Sequence, residues 1–270
     1  MPRSIWNGTI SFGLAHVPIK LYSATESKTV SFREVHLSDG APIEHRRLCS
    51  KEGKEVPFKE VVKGYEVAED EYVVLEKNEV KAAAGARGKV IEIEDFVPGD
   101  EIDPIFVEKT YYVGCRDEAA KRPARPGARG TGSEAYKVFQ AALEQTGRVG
   151  IGRFTFHDRE YLAAVRSLDG VLALHTLRFH DEIVEAGDLE VTIPRKGPSK
   201  QEAQMAEQLV DSLHEDFDPT DYEDTYREAV LDLIDRKAKG KKIERVEPEV
   251  REETDDLAAA LKASLKGRKS

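Results

Sequence analysis

The first 25 residues alternate. In IWNGTISFGLAHVPIKLYSAT, Ile5, Asn7, Thr9, Ser11 and Gly13 fall on one side of an extended chain, and Trp6, Gly8, Ile10, Phe12 and Leu14 on the other. This period of two predicts a half-buried strand, with Gly8 and Gly13 placed where a bulge or close backbone approach is needed. A second run after Pro18, through Ile19, Leu21 and Tyr22, makes it a hairpin. Val30, Phe32 and Glu34 then alternate against Ser31, Arg33 and Val35, Ser38-Asp39-Gly40 supplies a turn, and Ile43 to Cys49 returns. The return run carries His45, Arg46 and Arg47 in a row. A ribbon over residues 30–55 therefore has little to bury and is expected to project from the core.

Strand patterns resume in YVVLE, KVIEIEDFV and PIFVEKTYYVG, with a short helix expected over Asn78 to Arg87. Residues 116–132, rich in Ala, Pro, Gly and Arg, predict a solvated loop. Ser133 is placed to cap a helix whose face is Ala135, Val138, Phe139, Ala142 and Leu143 and whose stop is Gly147. VGIGRFTFH, REYLAAVRS, VLALHTLRF and LEVTIP follow as strands, the last ending at Pro194. Short, turn-rich connections favour a barrel or sandwich over a parallel α/β sheet.

Beyond residue 196 the period changes to that of helices. Ser199 and Glu202 form a capping box ahead of a stripe of Ala203, Ala206, Leu209, Val210 and Leu213. Asp218-Pro219 breaks this helix, and Thr220 with Glu223 is expected to cap another with Tyr222, Tyr226, Val230 and Leu233 on one face. After an acidic linker, Leu257, Leu261 and Leu265 recur every four residues, a stripe suited to docking on another protein. The organisation expected is a β core over 1–195, a helical arm over 196–240, and a linker with a short terminal segment over 241–270.

Charge changes the picture locally. The net charge is −10, but residues 201–235 alone carry twelve acids against one base, leaving the rest of the chain near neutrality. Screening cuts distant charges off within about 8–10 Å, so a local basic face remains able to hold phosphates. Residues 1–63 hold ten bases and seven acids. Two cysteines fit a reducing compartment, no apolar run reaches membrane-spanning length, and the start MPRSIW has no apolar targeting core, so a cytoplasmic protein with no membrane partner is expected.

Catalytic signatures are missing. There is no GxxxxGK[ST], GxSxG, HExxH or helix-opening GxGxxG, and Gly150-Ile-Gly152 sits within a strand pattern. Cys49 lacks the second sulfur of a Cys-x-x-Cys half, with Glu52 at that place, so neither a metal nor any other cofactor is expected. The aspartates 216, 218, 221 and 224 lack a calcium loop's glycine and bidentate glutamate. Two other readings remain open: a metal-dependent enzyme built on His45 and Cys49, and a dimeric scaffold that binds only proteins.

Four stretches occur together: IWNGTISFGLAHVPIKLYSAT, IEHRRLC with EVVKGYE after it, LHTLRFHDEI, and VDSLHEDFDPTDYEDTY. With these the chain resembles the bacterial Ku proteins, homodimeric factors that bind DNA ends in non-homologous end joining. The resemblance implies a mainly β fold with α: a Ku-type β-barrel core followed by a helical dimerisation arm, two copies closing into a ring around duplex DNA. It implies phosphate contacts from Lys20, Arg33, His45, Arg46, Arg47, Lys51 and Lys54. It implies dimer contacts from Leu209, Leu213, Tyr222, Tyr226, Val230 and Leu233, and recruitment of DNA ligase D through Leu257, Leu261 and Leu265. The expected partners are double-stranded DNA ends, a second copy and that ligase; the expected location is the cytoplasm, in association with the nucleoid.

Overall fold

Alternation on the first two strands starts a sheet that closes on itself. The computed structural model describes residues 3–76, 78–79, 89–116, 132–156, 159–194, 196–241 and 259–261. Its strands are β1 (Trp6–Phe12), β2 (Ala15–Ser23), β3 (Lys63–Ala68), β4 (Glu71–Leu75), β5 (Val90–Pro98), β6 (Val107–Cys115), β7 (Arg148–Phe156), β8 (Arg159–Leu168) and β9 (Val171–Leu177). The helices are α1 (Gly132–Thr146), α2 (Lys200–Ser212) and α3 (Thr225–Ala238). Seven strands form a closed barrel in the order β1-β2-β6-β9-β8-β7-β5, shut by parallel pairing of β5 with β1. Of the two architectures that the pattern favours, the barrel is the one present.

The interior is filled by the alternate residues of each strand. Ile10, Val17, Ile19, Ile91, Phe154 and Leu174 are fully buried within one cluster. The period-two reading of β1 holds in detail: Trp6, Gly8 and Ile10 are buried, and their neighbours are half-buried. Gly8 is a close approach, because a Cβ there would run into the Trp6 indole and the Lys89 carbonyl. Gly13, at φ +56°, makes the β1–β2 turn.

One mouth of the barrel is plugged by α1, which starts at Gly132, one residue before the expected cap. Phe139 and Leu143 are its buried residues. The Phe139 ring stacks on Phe12 at 4.4 Å and meets Phe96 edge-on at 6.4 Å. Tyr136 latches the plug: its hydroxyl donates to the Val113 carbonyl at 2.7 Å and accepts from the Leu172 amide at 2.9 Å. Aromatic rings continue the core at Trp6, which packs edge-on against Phe154 at 5.7 Å.

The described residues fall into two compact units: the barrel unit, with residues up to 27 and 35–188, and a second unit with residues 28–34 and the chain from 189 onward. Within the second unit, LEVTIP makes no strand; Leu189, Val191 and Ile193 are exposed. A closed barrel has no free edge to pair with such a segment. The capping box is present as read, with Ser199 Oγ accepting from the Glu202 amide and Glu202 Oε2 accepting from the Ser199 amide. Replacing Ser199 with Ala is expected to destabilise the first turn of α2 by about 1 kcal/mol, seen as faster amide exchange over 200–203.

The start of α3 differs from expectation. Thr220 gives its hydroxyl to Asp218 Oδ1 at 2.7 Å, an interaction that holds the Asp218 carboxyl below its ordinary pKa. Thr220 thus belongs to a single 3-10 turn, Pro219–Asp221. The cap of α3 is Asp224, which accepts from the Arg227 amide at 2.9 Å, so Tyr222 precedes the helix.

Candidate nucleic-acid interface

Between β2 and β3 the chain makes turns with almost no core. From residue 31 to 55 every residue is exposed except the half-buried Cys49. In place of the expected two-stranded ladder there are two isolated bridges, Val35–Pro42 and Leu48–Glu55. Polar strands with no face to bury have no strong register to hold. The Ser38-Asp39-Gly40 turn forms as predicted: the His36 amide donates to the Ala41 carbonyl at 2.8 Å and Gly40 takes φ +72°. A second tight turn follows. The Cys49 amide donates to the Lys54 carbonyl, the Gly53 amide to the Cys49 carbonyl and the Val56 amide to the Arg47 carbonyl, all at 2.8 Å, with Gly53 at φ +65°.

This second turn gathers most of the predicted cations. Lys51 lies within it and Lys54 where the chain leaves it, while Arg46 and Arg47 lead into it beside His45. Arg46 lies 3.6 Å from the Glu55 carboxylate, both well exposed; such a pair contributes little and yields readily to a competing anion. The Arg47 guanidinium lies over the Phe58 ring, 5.2 Å from its centroid, which orients the side chain while leaving its donors accessible. Lys59 and Lys63 follow, both exposed. Exposed cations meet phosphate without first being stripped from a buried partner, and they position a protein on nucleic acid without reading its bases.

The other two predicted contacts lie elsewhere. Lys20 is half-buried on β2, paired between Asn7 of β1 and Gly114 of β6, and alternates with the inward Ile19 and Leu21, so it stands on the barrel's outer face. Arg33 lies in the second unit. The hairpin β3–β4 is only half legible in the sequence: YVVLE reads as a strand, and KGYEVA does not. Its turn rests on Asp70 at φ 61°, where the sequence offers no glycine to announce it. Every residue of both strands is exposed, including Tyr65 and Tyr72.

Of the predicted dimer contacts, Leu209 and Val230 are half-buried, and Leu213, Tyr222, Tyr226 and Leu233 are exposed. Leu261 lies in the short described segment 259–261, whereas Leu257, Leu265, all but the helical residues 78–79 of the helix expected over Asn78 to Arg87, and the interior of the 116–132 loop fall outside the described residues. Among the described residues no three His, Cys, Asp or Glu side chains gather to hold a metal. No described helix is long and apolar enough to cross a membrane.

A family model described as the Ku70/Ku80 beta-barrel domain matches residues 11–210. The chain belongs to the Ku family. It is 44% identical, over 98% of its length and 86% of the relative's, to the non-homologous end joining protein Ku of Anaeromyxobacter sp. (strain K). Identity to the protein of the same name from Bacillus subtilis (strain 168) is 36%, over 97% of this chain and 81% of that one. With the one from Solibacter usitatus (strain Ellin6076) it is 35%, over 100% and 96%. The matched region of the Ku model takes in most of the barrel, the cation-bearing turns and nearly all of α2.

LHTLRFHDE, one of the stretches that carry the Ku resemblance, builds the barrel. Arg178 Nη1 donates to the carbonyls of Ile105 at 3.0 Å and Val107 at 2.8 Å, tying the end of β9 to the start of β6. Glu182 accepts from the Phe179 amide at 2.9 Å and from Arg159, and the amide bond first, the guanidinium second, keeps its carboxyl below the ordinary range.

Proposed function

We propose that this Ku chain is a non-catalytic clamp that binds double-stranded DNA ends independently of sequence, as a homodimer, and recruits DNA ligase D for end joining. The observation that carries the reading is the turn at 45–56: a coreless, exposed element bearing Arg46, Arg47, Lys51 and Lys54, in a chain of the Ku family. Duplex DNA threads through a ring whose inner side includes these cations, with Lys20 and Arg33 as further contacts. The second copy is held by the apolar faces of α2 and by α3 with Tyr222, through Leu209, Leu213, Tyr226, Val230 and Leu233. The twelve acids of 201–235 fit an arm kept away from phosphate.

The test is the salt dependence of binding to short linear duplexes of unrelated sequence. If about four to seven cations from each of the two copies displace one counterion apiece, log K falls against log salt with a slope of about −7 to −13, the same for each sequence. A flat salt response, or a slope that changes with sequence, would contradict the phosphate role. The terminal stripe has its own test: deleting residues 255–270 is expected to leave DNA affinity within about twofold while reducing stimulation of the ligase. Undiminished stimulation would remove Leu257, Leu261 and Leu265 from that role.

A further inference from the structure

The outer face of the barrel carries a polar network that has no part in the DNA reading proposed above. Neighbouring strands β6, β9 and β8 present Thr110, His175 and Arg166 side by side. The Arg166 Nε–H donates to His175 Nε2 at 2.9 Å, and Thr110 Oγ1 lies 2.8 Å from His175 Nδ1. Arginine only donates, so Nε2 is the acceptor and the ring proton sits on Nδ1, bonded to Thr110. Burial first, and the Arg166 charge second, lower the His175 pKa and keep the ring neutral. The guanidinium is therefore fixed through Nε, and its two terminal nitrogens have no partner among the described residues.

The small Ala164 leaves a trough of about 380 Å³ beside this network, walled by Ile102, Val107, Val149 and Leu177. A second cleft of about 320 Å³ adjoins it, sharing Gly99, Val149 and Arg166 and holding Glu144 and Asp169. The apolar walls give phosphate nothing to bond, and the two acids next door repel a polyanion. One negative charge carried on an aliphatic residue suits the trough, and a basic residue a little before it suits the second cleft.

We propose that this trough docks the carboxy-terminus of a partner polypeptide ending in an aliphatic residue. The terminal carboxylate takes the two open nitrogens of Arg166 in bidentate fashion, and the aliphatic side chain lies between Ile102 and Leu177. The inference is independent of the DNA reading.

Calorimetric titration of the full chain with the peptide acetyl-Lys-Ala-Ala-Leu tests it. Saturable binding with Kd at or below about 1 mM is expected, at least about tenfold weaker for the peptide's carboxamide. Gly99→Leu is expected to abolish binding by filling the groove; a Cβ at Gly99 meets only Val149, at 3.5 Å, an ordinary contact, and a thermal melt of the variant checks that the fold is kept. Arg166→Gln is expected to abolish it by removing the charge. No saturation by about 5 mM, equal binding of the carboxamide, unaltered binding in either variant, or octanoate binding as tightly as the peptide would each overturn the proposal.

Discussion

Replacing Arg46 and Arg47 together with glutamate is expected to weaken binding of linear duplex by about 100-fold at moderate salt. In each copy two attractive contacts become two repulsive ones, and the carboxylate introduced at position 46 would face Glu55, the present partner of Arg46. The slope of log K against log salt should become shallower by about four, because each copy of the homodimer loses two cations. Because both side chains are exposed and belong to no core cluster, the melting temperature should stay within a few degrees of the parent. The loss should be the same on AT-rich and GC-rich duplexes, since phosphate contacts carry no base information. Gel-shift or anisotropy titrations over a salt series give the affinities and slopes, and a thermal melt gives the stability. Undiminished affinity, or a new sequence preference, would move the interface off this turn.

Phe139→Ala should be the most destabilising of the substitutions considered. Its ring is 2% exposed, lies flat on Phe12 and touches Phe96, and it sits at the barrel mouth that α1 closes. Truncation removes the transfer free energy of the ring and leaves a cavity lined by groups that the barrel holds apart, a loss of about 3–5 kcal/mol. Urea unfolding should show a lower midpoint with an unchanged slope. A loss below about 1 kcal/mol would mean that α1 is not part of the barrel's core.

What is legible in the sequence is what one face of burial imposes. Strands β1, β2, β7, β8 and β9 announce themselves because every second residue must enter the barrel, and α1 because Phe139 and Leu143 recur on one face. What is not legible lies where no such constraint acts. Residues 30–55 alternate on paper but bury nothing, so only two bridges survive of the expected ladder. KGYEVA pairs with YVVLE although no residue of either is buried. Thr220 has the look of a helix cap, but its hydroxyl is taken by its neighbour Asp218. The cations of the candidate site are readable because exposure is all they need. Their grouping is not: Arg46, Arg47, Lys51 and Lys54 gather at one tight turn, Lys20 stands on a barrel strand, and Arg33 belongs to the other unit.

The claim that joins these features is that the chain holds DNA by its ends. Retention of a linear duplex should be compared with that of the same sequence as a covalently closed circle, at equal salt and protein concentration. A ring loaded through ends retains the linear form and releases the circle, and cutting the circle once restores retention. Equal retention of the closed circle would contradict the account.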